Sequence, residues 1–104
     1  MVFVIELLAA VPHDAIGEIH IAGHSVQPLE NGALLRIDDH GSAVALPVWR
    51  LYCRALERFG RIPTLVEWDS NIPSWERLCE EAARAQTIYD EVVAATPSPQ
   101  AVRA

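Results

Sequence analysis

The strongest constraint in this 104-residue sequence is a strand–helix–strand order with a second helix behind it. Ala15–Ala22 (AIGEIHIA) alternates Ile19 and Ile21 with His20 and Ala22, and period two with β-branched residues predicts a strand. Ile62–Trp68 (IPTLVEW) predicts another, with Pro63 tolerated near its start. Between them, Pro47 suits a first helical turn. From Val48 to Phe59, Trp49, Tyr52, Cys53 and Leu56 form one apolar stripe, and Gly60 closes the helix. A further helix is predicted from Pro73 to about Ala94, with Trp75, Leu78, Cys79, Ala82 and Ala83 facing inward. Two consecutive βα units imply parallel strands joined by a crossover helix. Two parallel strands alone cannot form a sheet covered on both faces. Such a chain either self-associates or belongs to a larger α/β fold.

The remaining segments are less regular. Residues 2–11 (VFVIELLAAV) read as a helix that Pro12 ends. Residues 23–46 hold Gly23, Pro28, Gly32 and Gly41 without helical periodicity. They predict a long working loop crossed by one short extended piece, Ala33–Ile37. Residues 96–104 (TPSPQAVRA) read as a disordered tail.

Composition removes several functional classes. The net charge is -6, from 14 Asp plus Glu against 8 Arg and no Lys. That balance argues against nucleic acid or an anionic membrane as partner. Without Lys there is no P-loop lysine, no Schiff base and no pyridoxal attachment. Hydrophobic residues at 51% indicate a chain that buries surface. Cys53 and Cys79 are too few and too far apart for a disulfide framework or zinc ribbon, and both read as core. The first apolar run is interrupted by Glu6, is too short to span a bilayer and lacks a basic start. A cytoplasmic location is expected.

The chemistry-bearing residues gather in one part of the sequence. His20 and His24 flank the end of the first strand, Asp38 and His40 form an Asp-x-His pair in RIDDHG, and Glu67 closes the second strand. In parallel α/β folds functional groups collect at the carboxyl ends of strands, where all of these fall. Imidazole with carboxylate oxygen is the ligand set of iron, manganese and zinc. Each residue also has a structural reading: a hydrogen-bonded strand histidine, an Asx-type turn, a paired charge at a strand end. Ser25, Ser42 and Ser70 have no base at triad spacing, and Trp49 and Trp75 read as core.

GEIHIAGHS, then IDDHGSAVALPVW, then RIPTLVEWDSNIP resembles, in order, the closing part of the multinuclear non-haem iron-dependent oxidative enzymes. The resemblance implies an α/β fold, with residues 1–95 as the C-terminal two βα units of a TIM barrel related to xylose isomerase. It implies two or three iron ions in the full-length enzyme, with His20, Asp38, His40 and Glu67 at ligand positions. His24 is retained as the alternative to His20. It implies oxidation of cysteines in ribosomally made precursor peptides, alongside a partner protein that binds the peptide leader. Two strands of eight would leave iron partial or absent here and the chain inactive alone, self-associating or pairing with a missing N-terminal half. The rival readings are a non-catalytic interaction module and a related barrel metalloenzyme with a different metal, such as a zinc phosphodiesterase or a sugar isomerase.

Overall fold

The computed structural model describes residues 2–96, so all of the predicted tail 96–104 except Thr96, which caps the last helix, lies outside the described residues. Its elements are α1 (Val2–Ala10), β1 (Ile19–Ala22), β2 (Ser25–Pro28), β3 (Leu34–Ile37), α2 (Leu46–Phe59), β4 (Thr64–Glu67) and α3 (Trp75–Ala95). β1 and β4 pair in parallel, from Ile19 opposite Thr64 to Ala22 opposite Glu67, with α2 in the crossover. The mixed α/β class and the parallel pair are those the sequence predicts. Pro47 stands in the first turn of α2, and the Gly60 N–H caps the helix on the Leu56 carbonyl at 2.8 Å. Ser74 caps α3 by accepting the Arg77 N–H.

The strand period decides which residues meet the core and which meet the site. Ile19, Ile21 and Val66 pack with Trp49, Tyr52 and Leu56 of α2 and with Ala85, Ile88 and Val92 of α3. Their strand neighbours point the other way, and Leu65 keeps 46% of its surface exposed on that uncovered face. His20 and Glu67 lie on it too, two register steps apart.

Two sequence readings are corrected here. The stretch 23–46 is not a loop with one extended piece, because β2 and β3 form an antiparallel hairpin. Asn31-Gly32 makes its turn: Gly32 has φ +82°, and the Asn31 side chain accepts the Ala33 N–H at 3.0 Å. The inward stripe of α3 is also rotated from the expected one. Trp75 is 73% exposed, and Cys79, Ala82 and Ala83 are exposed as well. The helix instead buries Glu81 and Ala85 and half-buries Ile88, Tyr89 and Val92. The helix docks on α2 and β4 through the later set, while Trp75 and Cys79 line an open groove beside β4. Cys79 is therefore not a core residue, while Cys53 is half-buried on α2.

One glycine is dictated by close approach. Gly23 is buried at the end of β1, and a Cβ there would overlap the Ser42 backbone carbonyl. Gly23→Ala should therefore destabilise the chain by about 1–3 kcal/mol in urea unfolding, the usual range for overpacking against rigid neighbours. Cys79→Ser, at an exposed site, should stay within about 0.5 kcal/mol of the parent. Equal stability of the parent and Gly23→Ala would contradict the packing described.

Candidate metal centre

Three parts of the chain deliver one cluster of titratable groups. His20 comes from β1, Asp38 and His40 from the segment after β3, and Glu67 from the last residue of β4. Together with His24 they line one open cleft of about 490 Å³. The five residues singled out in the sequence thus share a cavity, although they are not equally close. Glu67 addresses two imidazoles at once: Oε1 lies 2.7 Å from His20 Nδ1 and Oε2 lies 3.1 Å from His40 Nδ1. The second nitrogen of each ring also meets a carboxylate, Glu18 at 2.9 Å for His20 and Asp38 at 2.8 Å for His40. Asp69 adds a further oxygen 2.9 Å from His40 Nδ1.

His24 stands apart from this network. Its Nε2 accepts a hydrogen bond from the Arg36 guanidinium of β3 at 2.8 Å, which leaves the ring proton on Nδ1. Asp69 and Glu18 are members of the network that the sequence patterns do not single out. Both lie two positions from a site residue, and the strand period that pairs Glu67 with Asp69 and His20 with Glu18 was the signal for them.

Backbone geometry fixes the approach of His40. Its φ of +51° lies in the left-handed region, where a non-glycine residue is strained. The turn is held from both strand ends. The His40 N–H donates to the Gly23 carbonyl at 3.2 Å, and the His40 carbonyl accepts the Asp69 N–H at 2.8 Å. Asn71, also at positive φ, donates its side-chain N–H to the Gly41 carbonyl at 3.3 Å.

Electrostatically the cluster favours cations. The hydrogen bond to Glu18, then the nearby Glu67 charge, raises the His20 imidazole above its ordinary 6.5. The hydrogen bond to Asp69, then the charges of Asp38 and Glu67, does the same for His40. Four carboxylates around two imidazoles leave an excess of negative charge that a divalent ion would offset. Among the described residues, His40, Glu67 and Asp69 offer ligand atoms within 4.8 Å of one another, a group able to hold a metal ion. The donor set is therefore of the right kind for iron, manganese or zinc.

Comparison with known proteins identifies the family of the chain. Residues 3–90 match the family described as RiPP precursor modification enzyme MbnB/TglH/ChrH, and the chain belongs to that family. It is 51% identical over 78 residues to a UPF0276 protein of Caulobacter sp. (strain K31), covering 75% of this chain and 28% of the relative. A UPF0276 protein of Chromobacterium violaceum is 50% identical over 82 residues, covering 79% and 28%. One from Paraburkholderia phytofirmans is 45% identical over 84 residues, covering 81% and 27%. The chain thus spans just over a quarter of the length of these curated relatives. No solved structure matches it. No helix among the described residues is long and apolar enough to cross a membrane.

Because the native imidazoles are raised, each histidine–carboxylate pairing contributes stability that is complete below pH 6.5 and is lost as pH rises through the native value. In a proton NMR titration of the metal-free chain, both His20 and His40 should titrate above 6.5. Glu18→Gln should lower the His20 midpoint and leave that of His40 in place. Midpoints at or below the ordinary value in the folded parent would remove the electrostatic basis of the cluster.

Proposed function

We propose that residues 1–95 are the closing two βα units of a TIM-barrel, iron-dependent oxidative enzyme that modifies cysteines of ribosomally made precursor peptides. One observation carries the reading. Glu67 stands at the carboxyl end of a parallel strand pair, in a chain of this family, with each oxygen facing a different imidazole. A carboxylate so placed suits two adjacent ions, as two-metal centres require.

His20, Asp38, His40 and Glu67 would hold the metal. Asp69, hydrogen-bonded to His40 Nδ1, would set the orientation of that ring, as outer carboxylates do for metal-bound histidines. His24, held by Arg36, would form the rim and stay outside the ligand set. Bound iron would supply the redox chemistry with O₂ that thiolate oxidation demands. Neither Cys53 nor Cys79 lines the cleft, so the thiol that reacts would belong to the substrate.

The surfaces outside the cleft support a larger fold. Among the described residues, β1 and β4 each have one strand partner, and so one free edge each. Between β4 and α3 runs an open groove of about 440 Å³, lined by Leu65, Trp68, Trp75, Leu78, Cys79 and Ala82 among others. The relatives carry nearly three quarters of their length outside the matched region. Further barrel strands would cover these edges and this groove and bring the remaining ligands. Alone, the chain would bind iron partially, self-associate through its open edges and lack activity. A partner protein that binds the leader would present the peptide, and the reaction would take place in the cytoplasm. A non-catalytic interaction module gives no reason for two imidazoles and four carboxylates to converge.

Metal binding tests the assignment. With Mn²⁺ or anaerobic Fe²⁺, Asp38→Ala, His40→Ala and Glu67→Ala should each weaken binding about 10- to 100-fold in calorimetric titration. Affinity should rise with pH as the imidazoles lose their protons. Cys53→Ala should leave binding unchanged. Unchanged binding in all three ligand variants would overturn the assignment.

A further inference from the structure

Glu81 is a buried charge with no part in the cluster. On α3 it keeps only 2% of its surface, and among the described residues it is the one buried charged side chain. A carboxylate taken out of water needs hydrogen-bond partners or an opposite charge. Glu81 has both. Its Oε2 accepts the Val44 backbone N–H at 2.8 Å. Its Oε1 meets the Arg77 guanidinium at 3.3 Å, one helical turn earlier. That guanidinium also lies 5.6 Å from the centre of the Trp68 ring. Trp68 stands between Glu67 and Asp69, and Val44 lies four residues past His40.

The two arms that carry the site therefore meet at a single ion pair on α3. We propose that Glu81, clamped by Arg77, is a positioning residue of the metal centre. It fixes the 40–44 segment through the Val44 amide and, through Arg77 on Trp68, holds the end of β4, so that His40 faces Glu67 and Asp69. This rests on the metal-site reading above. The strand ends already hold the His40 backbone at Gly23 and Asp69, but among the described residues the backbone from Ala43 to Ala45 makes no hydrogen bond to a strand, and Val44 otherwise meets the strands only through its side chain in the core. Glu81 reaches across 37 residues of sequence to hold it. A carboxylate, unlike an apolar side chain of equal size, can accept the Val44 N–H from a buried helix face.

The test is Mn²⁺ titration of the full chain, with Glu81→Gln, Glu81→Met, Arg77→Met and, as a packing control, Ile88→Ala. Gln keeps an oxygen for the Val44 amide, so Glu81→Gln should bind within about threefold of the parent. Glu81→Met should bind at least tenfold more weakly, and Arg77→Met should fall between them. Ile88→Ala, which loosens the same helix and core without removing a hydrogen bond to the 40–44 segment, should lower thermal stability and keep parental affinity. Equal affinity in Glu81→Met and the parent overturns the proposal, as does an equal loss in Ile88→Ala. If Glu81→Met does not fold, Arg77→Met at parental affinity overturns it. A parent that binds no Mn²⁺ sinks the metal-site reading and leaves positioning open to hydrogen exchange. In that case the Asp69 amide, which donates to the His40 carbonyl, should lose protection in Glu81→Met while the Gly60 amide keeps it. Unchanged Asp69 protection would overturn the positioning role by itself.

Discussion

Glu67 holds the structure's chemistry together because one carboxylate has two oxygens and both are engaged by different elements. Oε1 reaches the His20 ring on β1, and Oε2 reaches the His40 ring on the segment after the hairpin. Each ring is then faced by a second carboxylate on its other nitrogen. A neutral imidazole carries one proton and cannot donate to carboxylates on both sides. Protonation or a cation must resolve the conflict, which is why these histidines are raised and why the same arrangement suits a metal ion.

That convergence depends on a backbone crossing with little room. The segment at 40–44 passes so close to the end of β1 that Gly23 can carry no side chain. It turns through a left-handed residue at His40 and is anchored at Asp69 on one side and Glu81 on the other. A strained non-glycine residue persists only where its surroundings over-determine it. Gly23 and Asp69 hold His40 itself by backbone hydrogen bonds, and Glu81 holds Val44 four residues further on.

The sheet divides the chain's two tasks between its faces. Ile19, Ile21 and Val66 face the helices and build the core, while His20, Leu65 and Glu67 face away. A strand that buries one face and exposes the other is ordinary in antiparallel sheets, but parallel strands are usually covered on both. The exposed face, the two free edges and the groove beside α3 agree with the fact that the matched region is just over a quarter of its relatives' length.

Much of this was legible in the residues. Period two in GEIHIA and TLVEW, the stripe of α2, Pro47 and Gly60 are local signals, and local physics sufficed to find β1, β4, α2 and their parallel pairing. That His20, Asp38, His40 and Glu67 would come together at one end of the strands was legible because polar groups of parallel folds collect there. The hairpin was present in the sequence as Asn31-Gly32, a turn signal outweighed by the scattered glycines and proline around it. The inward face of α3 was not legible. Helical spacing offers several apolar stripes, and only docking against α2 and β4 selects the one through Glu81 and Ala85. Nor could spacing reveal that Glu67 bridges two rings or that Glu81 reaches the Val44 amide. Those contacts join residues far apart in sequence, and their energies exist only once the chain has closed on itself. The sequence by itself determined the elements, their order and the chemistry available; tertiary packing decided which carboxylate meets which imidazole, because burial and distance are properties of the folded chain.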